Sequence, residues 1–152
     1  MAKRLRRTRK GTIKVELPPE ERELLRSIVG EMRAVLSDGE DPALDRLYPV
    51  AYPKDEEREA EWKALIRSEL ADHHAAALAL LEETADAETL DEEQANAWLR
   101  ALNQVRLLLG TRLEVTEEGG ERPLEDDDPR APTFALYDYL AFLQDQLVDA
   151  LA

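Results

Sequence analysis

The spacing of apolar residues along the chain predicts four helices and one short extended segment. Apolar side chains recur at intervals of three and four residues over 19–37, 55–84, 91–110 and 132–151, which is the period of a helix with one buried face. The stretch "GTIKVEL" alternates between apolar and polar residues, and this pattern indicates a strand or extended segment. We therefore predict an all-α fold, with four main helices in a compact bundle-like domain and a short extended N-terminal segment.

Residues that start or end helices separate these segments. Gly39 follows the first helix as a predicted C-cap, and Asp91 with Gln94 resembles a capping box for the third. The connector 41–55 contains three prolines and two tyrosines, and 114–132 is an acidic loop rich in Gly and Pro. The buried stripe of the second helix is predicted to contain Trp62, Leu65, Ile66, Leu70, His73, Ala77, Leu80 and Leu81.

Positive charge is concentrated at the start of the chain. The formal net charge is −14, yet the first 14 residues contain seven of the 20 basic residues and no acidic one. We divide the chain into a basic flexible tail, 1–10, and a single helical domain, 11–152. The tail either binds nucleic-acid phosphates or lies against the acidic remainder of its own chain. The basic residues concerned are Arg4, Arg6, Arg7, Arg9 and Lys10.

Composition excludes several classes of protein and site. Cysteine is absent, which rules out disulfides, zinc–thiolate sites and thiol nucleophiles in this chain. No run of about 18 apolar residues is present, so we expect no membrane-spanning helix. The basic N-terminus is not followed by the apolar region of a signal peptide, and we expect a cytoplasmic protein.

Few residues are placed for catalysis or metal binding. His73 and His74 are adjacent, so on a helix they point about 100° apart and do not easily share a metal. Glu69 lies on the apolar stripe, where it either acts with His73 as an acid–base group or pairs with a basic residue of a neighbouring helix. The run "EDDDP" lacks the ligand spacing of a calcium loop. Phosphate-binding and nucleophile motifs are absent, and we predict a protein that is not an enzyme and has no cofactor.

The stretch "AWLRALNQVRLLLGTRLEV" combines an enclosed, apolar helix with arginines. A buried arginine must be paired. Arg100 and Arg106 therefore either form ion pairs, with the acidic residues of 125–128 or with Asp138 or Asp145, or contact a partner. The fourth helix carries an apolar band so wide that it either lies in the core or covers another protein, which makes a homodimer possible. The candidates for partner contact are Arg100, Arg106, Arg112, Tyr139 and Phe142.

Four stretches of the sequence resemble one known family. They are "VELPPEERELLRSIVGEM", "DPALDRLYPVAYPKDEEREAEW", "AWLRALNQVRLLLGTRLEVTEE" and "DDPRAPTFALYDYLAFLQDQLVDAL". The family is an actinobacterial domain of unknown function, also called the AosR-type oxidative-stress transcriptional regulator family, and the resemblance covers most of 13–151. The pattern W-L-R-A-L-N-x-x-R-L-x-L-G-T-R-L in the third helix is its most specific part.

The resemblance implies a cytoplasmic, mostly helical regulator that contacts a sigma factor or RNA polymerase. Genes of the family often neighbour the adaptor of the Clp protease, so the alternative is an accessory protein of Clp-type proteolysis that binds an adaptor or a substrate. Redox control in the family uses cysteine. This chain has no cysteine, so that switch cannot be carried over to it.

Overall fold

The computed structural model describes residues 3–37, 50–113 and 127–152, without the side chains of residues 67 and 68. Within these ranges the chain forms four helices and three short strands. In chain order they are β1 (Leu5–Arg7), β2 (Ile13–Val15), α1 (Pro19–Ser37), α2 (Glu56–Glu83), β3 (Thr89–Leu90), α3 (Glu92–Arg112) and α4 (Ala131–Leu151). The predicted C-cap at Gly39, most of the connector 41–55, and the acidic residues 125–126 lie outside the described residues.

The four predicted helices are confirmed, but the fold is not purely α-helical. The three strands form one antiparallel sheet in the order β1-β2-β3, with Leu5 opposite Val15 and Ile13 opposite Leu90. The alternating apolar and polar residues around Ile13 correctly predicted strand β2. Strands of two or three residues are too short for an alternating pattern to stand out, which is why β1 and β3 were missed.

Residues 5–7 of the segment predicted as a flexible tail form strand β1. Leu5 in β1 is completely buried, and β1 packs against α4 as well as pairing with β2. The side-chain oxygen of Gln146 in α4 accepts hydrogen bonds from the backbone amides of Arg4 (2.7 Å) and Leu5 (2.8 Å). A single apolar residue among cations gave no period, yet it anchors this part of the chain to the core.

The core lies where α3 is packed between α2 and α4, with α1 against α2. Trp98 of α3 is fully buried, and its indole N–H donates to the Thr84 hydroxyl at 2.6 Å. That hydroxyl donates in turn to the backbone carbonyl of Leu80 near the end of α2, also at 2.6 Å. The indole is therefore satisfied without water. The other large, fully buried side chains of the described residues are Leu5, Leu25, Met32, Leu78, Leu81, Leu90, Leu102, Leu140, Leu143 and Leu147.

The second helix is buried mainly along its C-terminal half. Its buried positions there are His74, Ala77, Leu78 and Leu81, which keep the helical period. The predicted stripe is wrong at two positions, because His73 is exposed and Leu65 is 65% exposed. A helix of 28 residues extends about 42 Å, and the buried positions named above all lie in its second half.

Two helices begin at a capping aspartate, and the cap at Asp91 was predicted from the sequence. Asp91 accepts from the Gln94 amide at 2.8 Å, and the Gln94 side chain accepts from the Asp91 amide at 2.9 Å, which confirms the predicted capping box. Asp55 caps α2 by accepting from the Arg58 amide at 3.1 Å. These contacts fix where α2 and α3 begin.

Candidate functional site

Polar side chains line one side of the contact between α3 and α4. Arg106 of α3 donates from Nη1 to the Gln144 side-chain oxygen at 2.5 Å, and Gln144 Nε2 lies 3.5 Å from the Asn103 oxygen. The Arg106 guanidinium also lies over the ring of Tyr137, 5.3 Å from its centroid. We call Asn103, Arg106, Tyr137 and Gln144 the α3–α4 seam.

The ion pair predicted for Arg106 is not formed with the described residues. Its contacts within those ranges are a neutral amide and an aromatic face, and its buried Nε has no hydrogen-bond partner there. Asp145 is exposed and does not pair with it. An amide and an aromatic face therefore stabilise the guanidinium charge in place of a carboxylate, and they do so more weakly. Arg106 is only partly buried.

The three candidate arginines of α3 do not form one patch. They are spaced six residues apart, so each is rotated by about 240° from the one before. Arg100 and Arg112 are exposed, whereas Arg106 faces α4. Arg100 forms no ion pair with the described residues.

The two candidate aromatics of α4 face the protein and are not freely exposed. Tyr139 and Phe142 are partly buried and pack against the hydrophobic core. Burial and the neighbouring Glu21 carboxylate raise the pKa of the Tyr139 hydroxyl. The sequence left open whether the apolar band of this helix lies in the core or covers another protein. For Tyr139 and Phe142, the described residues favour packing against the core.

A second polar cluster joins the N-terminal strand to α1 and α4. The Arg4 guanidinium forms a two-point pair with Glu21, with Nη2–Oε2 at 2.9 Å and Nε–Oε1 at 3.1 Å, and both side chains are 19% exposed. Burial disfavours the Glu21 carboxylate, but the hydrogen-bonded Arg4 guanidinium, together with the nearby Tyr139 hydroxyl, holds its pKa below the ordinary value. We call Arg4, Glu21, Tyr139 and Gln146 the docking cluster. Arg4 therefore contacts both α1, through Glu21, and α4, through Gln146.

The remaining basic residues of the N-terminal segment lie on the β1–β2 hairpin. Arg6 pairs with Glu16 at 3.1 Å, and Lys14 approaches the same carboxylate at 3.6 Å. Arg7 donates to the Ala152 carbonyl at 3.3 Å. Arg9 and Lys10 are exposed in the turn and form no ion pair with the described residues. The hairpin therefore keeps most of its positive charge at the surface.

Arg22 is a structural residue that the sequence reasoning missed. Its guanidinium donates to four backbone carbonyls, those of Leu17 (3.0 Å), Val15 (3.2 Å), Ala85 (2.9 Å) and Ala87 (2.8 Å). It thereby joins α1 to the end of β2 and to the link between α2 and β3. No local signal marks such a role, because its partners are carbonyls that every sequence has.

The residues considered for catalysis do not assemble into a site. Glu69 and His73 are exposed, while His74 is buried. Burial and the adjacent His73 lower the pKa of His74. Among the described residues, no three histidine or acidic side chains are grouped so as to hold a metal ion. Within the same ranges, no helix is both long and apolar enough to cross a membrane.

Exposed apolar side chains gather at the start of α2. A shallow cleft is lined by Tyr52, Arg58, Glu61, Trp62 and Leu65. Tyr52 is 40% exposed and Leu65 is 65% exposed, and the Arg58 guanidinium lies 5.9 Å from the Tyr52 ring centroid. We call this group the α2 apolar surface. Large apolar side chains left in water beside an arginine are typical of protein contact sites.

Comparison with known proteins places this architecture in one family. The model of a domain of unknown function, DUF2017, matches residues 2–151. The chain is 31% identical to the oxidative stress regulator AosR of Mycobacterium tuberculosis and to that of Mycobacterium bovis, over 87% of this chain and 78% of each relative. It is 35% identical to a putative oxidative stress regulator AosR of Mycobacterium leprae, over 74% of this chain and 59% of the relative. No solved structure matches significantly. The chain therefore belongs to the DUF2017 family.

Proposed function

We propose that this chain is a non-enzymatic regulator of the oxidative-stress response that acts in the cytoplasm through contacts with the transcription machinery, such as a sigma factor or RNA polymerase. The observation that carries the proposal is the 31% identity, over 87% of the chain, to relatives named oxidative stress regulators. The described residues include no group of three histidine or acidic side chains that could hold a metal ion, which is compatible with it.

The surface that we assign to the partner is the α2 apolar surface. It has the composition of a protein contact site, with Tyr52 and Leu65 as apolar anchors beside Arg58. Arg100 and Arg112 are the predicted arginines that remain exposed to reach a partner. Arg106, Tyr139 and Phe142 already have internal contacts, so in this proposal they support α3 and α4 and bind no partner directly.

Oxidants should not act on this chain through a thiol. The sequence has no cysteine, so a disulfide or sulfenic acid cannot form on it. A thiol-based response to oxidants in the proposed complex must then come from the partner.

A binding assay with purified proteins tests the proposal. The chain is immobilised, and sigma factors, core RNA polymerase and the Clp adaptor are applied separately, with and without peroxide treatment of the chain. We expect a sigma factor or the polymerase to bind with a Kd of about 1 μM or tighter, with no change after peroxide. Binding of the Clp adaptor alone would favour the alternative role in proteolysis, and binding of none of them would reject a direct regulatory contact.

Matched variants locate the contact. Leu65→Asp should weaken the complex at least about tenfold, because it places a charge in an apolar anchor. Val148→Asp is the control, since Val148 is also exposed, at 52%, but lies on α4. Equal losses in the two variants would place the contact elsewhere. Arg100→Glu in the same format tests the arginine contact on α3.

A further inference from the structure

We infer that the β1–β2 hairpin is a second binding surface, which holds the sugar–phosphate backbone of duplex DNA without reading its sequence. The surface consists of the outward-facing side chains of residues 6–14, with Arg6, Arg9, Lys10 and Lys14 as its cations. It is distinct from the α2 apolar surface, and its test does not depend on a protein partner.

The hairpin displays a fixed array of cations. Leu5, Ile13 and Val15 point into the core and are buried, so the alternate positions Arg6 and Lys14 point outward. These two share one carboxylate, that of Glu16. Arg9 and Lys10 in the turn form no ion pair with the described residues, and the nearby carboxylate of Glu92 lines a pocket beside Gly11 of the same turn. The array therefore keeps a net positive charge, while the chain as a whole carries −14.

The docking cluster holds this array in place. Gln146 accepts from the first two amides of the hairpin, and Arg4 is paired with Glu21. Because these contacts order the hairpin before any ligand arrives, binding costs less conformational entropy than it would with a flexible tail.

The make-up of the surface favours a phosphate backbone over an acidic protein. Protein interfaces have an apolar or aromatic centre, and residues 6–12 contain only Arg, Lys, Thr and Gly. Base stacking also needs aromatic rings, so single strands fit less well. Threonine hydroxyls often bind phosphate oxygens, and Thr8 and Thr12 lie together on the hairpin with their hydroxyls 2.8 Å apart.

The shape of the hairpin also fits a duplex. The turn has Gly11 at φ +84° with nothing within 4 Å of the place where a Cβ would lie, so backbone and turn can approach a ligand closely. A two-stranded ribbon can enter the major groove of DNA. The acidic remainder of the molecule would be repelled, so the hairpin should approach the duplex with its turn first.

Salt-dependent titration of a fluorescein-labelled duplex with the full chain tests the inference. The logarithm of the affinity should fall linearly with the logarithm of the NaCl concentration, because phosphate contacts release counterions. The variant Arg9→Gln/Lys10→Gln should lower the steepness of that line by about 1.8, at about 0.9 per phosphate contact. The variant Lys54→Gln/Lys63→Gln removes the same charge from two positions outside the hairpin that are exposed or partly exposed, and it should leave the slope unchanged.

Three results would overturn the inference. They are no change in anisotropy for the unmodified chain at the lowest salt, equal slopes for the two double variants, and displacement of the duplex by polyglutamate at lower concentration than by unlabelled duplex. The last would assign the hairpin to an acidic protein. Melting temperatures of both variants, which should match that of the unmodified chain, exclude unfolding as the cause of a loss.

Discussion

Arg22 shows how much of this fold depends on one polar side chain. Its guanidinium donates hydrogen bonds to four backbone carbonyls and thereby joins α1 to the end of β2 and to the link between α2 and β3. Each of those carbonyls would otherwise need water or another donor. Hydrogen bonds from a charged group contribute about 1.5–3 kcal/mol each, and they are not additive when they share one donor group.

Arg22→Ala should therefore lower the free energy of unfolding by about 2–4 kcal/mol, as measured by urea denaturation followed by circular dichroism. Arg22→Lys should recover only part of this loss, because an ammonium cannot reach four carbonyls in a planar array. Arg26→Ala is the control. Arg26 pairs with Asp86 at 2.6 Å on the surface and should cost less than about 1 kcal/mol. Similar losses for Arg22→Ala and Arg26→Ala would contradict the assigned role.

Glu21 should make the stability of the protein depend on pH in the acidic range. Burial alone would raise its pKa above the ordinary value of 4.5, but the hydrogen-bonded Arg4 guanidinium and the nearby Tyr139 hydroxyl lower the pKa in the folded state. A carboxyl group with a lowered folded-state pKa stabilises the protein fully above the unfolded pKa. That contribution is lost as the pH falls through the folded-state pKa.

The measurement compares unfolding free energies of the unmodified chain and Glu21→Gln between neutral and acidic pH. The difference between the two should be largest near neutrality and shrink below pH 4.5. Glu20→Gln is the control, since Glu20 also lies in the first turn of α1 but is exposed. A difference that stays constant with pH would mean that the Glu21 carboxylate is not favoured by its partners.

At the scale of elements, periodicity predicted the helices well and the sheet poorly. The helices of 19 to 28 residues repeat their pattern over several turns, so one misplaced residue such as His73 does not hide it. Strand β1 has one buried side chain, Leu5, between cations. Its place in the fold depends on tertiary contacts such as the hydrogen bond to Gln146, which the local sequence does not reveal. The capping box at Asp91 was predictable because both partners are local. The hydrogen bond between Arg106 and Gln144 was not predictable, because 38 residues separate the two in the sequence.

The docking of β1 gives a prediction for one element. Gln146→Leu removes both hydrogen bonds to the amides of Arg4 and Leu5, which together contribute about 1–3 kcal/mol. Hydrogen–deuterium exchange of residues 4–7 should become faster by roughly five- to a hundredfold, while α3 should keep its protection. Asp149→Asn, at an exposed position of the same helix, should change neither. Faster exchange throughout the protein would show that β1 does not open as a separate unit.

The α3–α4 seam gives a second prediction at this scale. Since Arg106 has no carboxylate partner among the described residues, Arg106→Met should change the free energy of unfolding by less than about 1.5 kcal/mol, or even raise it. Gln144→Leu leaves the guanidinium without its amide acceptor and should cost about 2–4 kcal/mol. The double variant should then be more stable than Gln144→Leu alone. If Arg106→Met is as damaging as Gln144→Leu, the arginine has a stronger partner than the amide.

At the scale of the whole molecule, the excess of negative charge should oppose folding. Lys and Arg number 20 against 34 Asp and Glu, and most of the ion pairs between described residues lie at the surface, where each contributes less than about 1 kcal/mol. Repulsion among the unpaired acidic side chains acts over longer distances than the attraction within each ion pair. Salt weakens this repulsion, because charges farther apart than the Debye length, about 10 Å at 0.1 M, are largely screened from each other.

The melting temperature should therefore rise as NaCl increases from about 0.01 M to 0.15 M, over which the Debye length falls from about 30 Å to about 8 Å. Sucrose at equal osmolality is the control, because it adds solute without screening charge. The hairpin variant Arg9→Gln/Lys10→Gln makes the chain more acidic, so its melting temperature should rise more steeply with salt. A melting temperature that falls with salt would mean that the surface ion pairs outweigh the repulsion, and that the acidic residues are more completely paired than the described part of the chain shows.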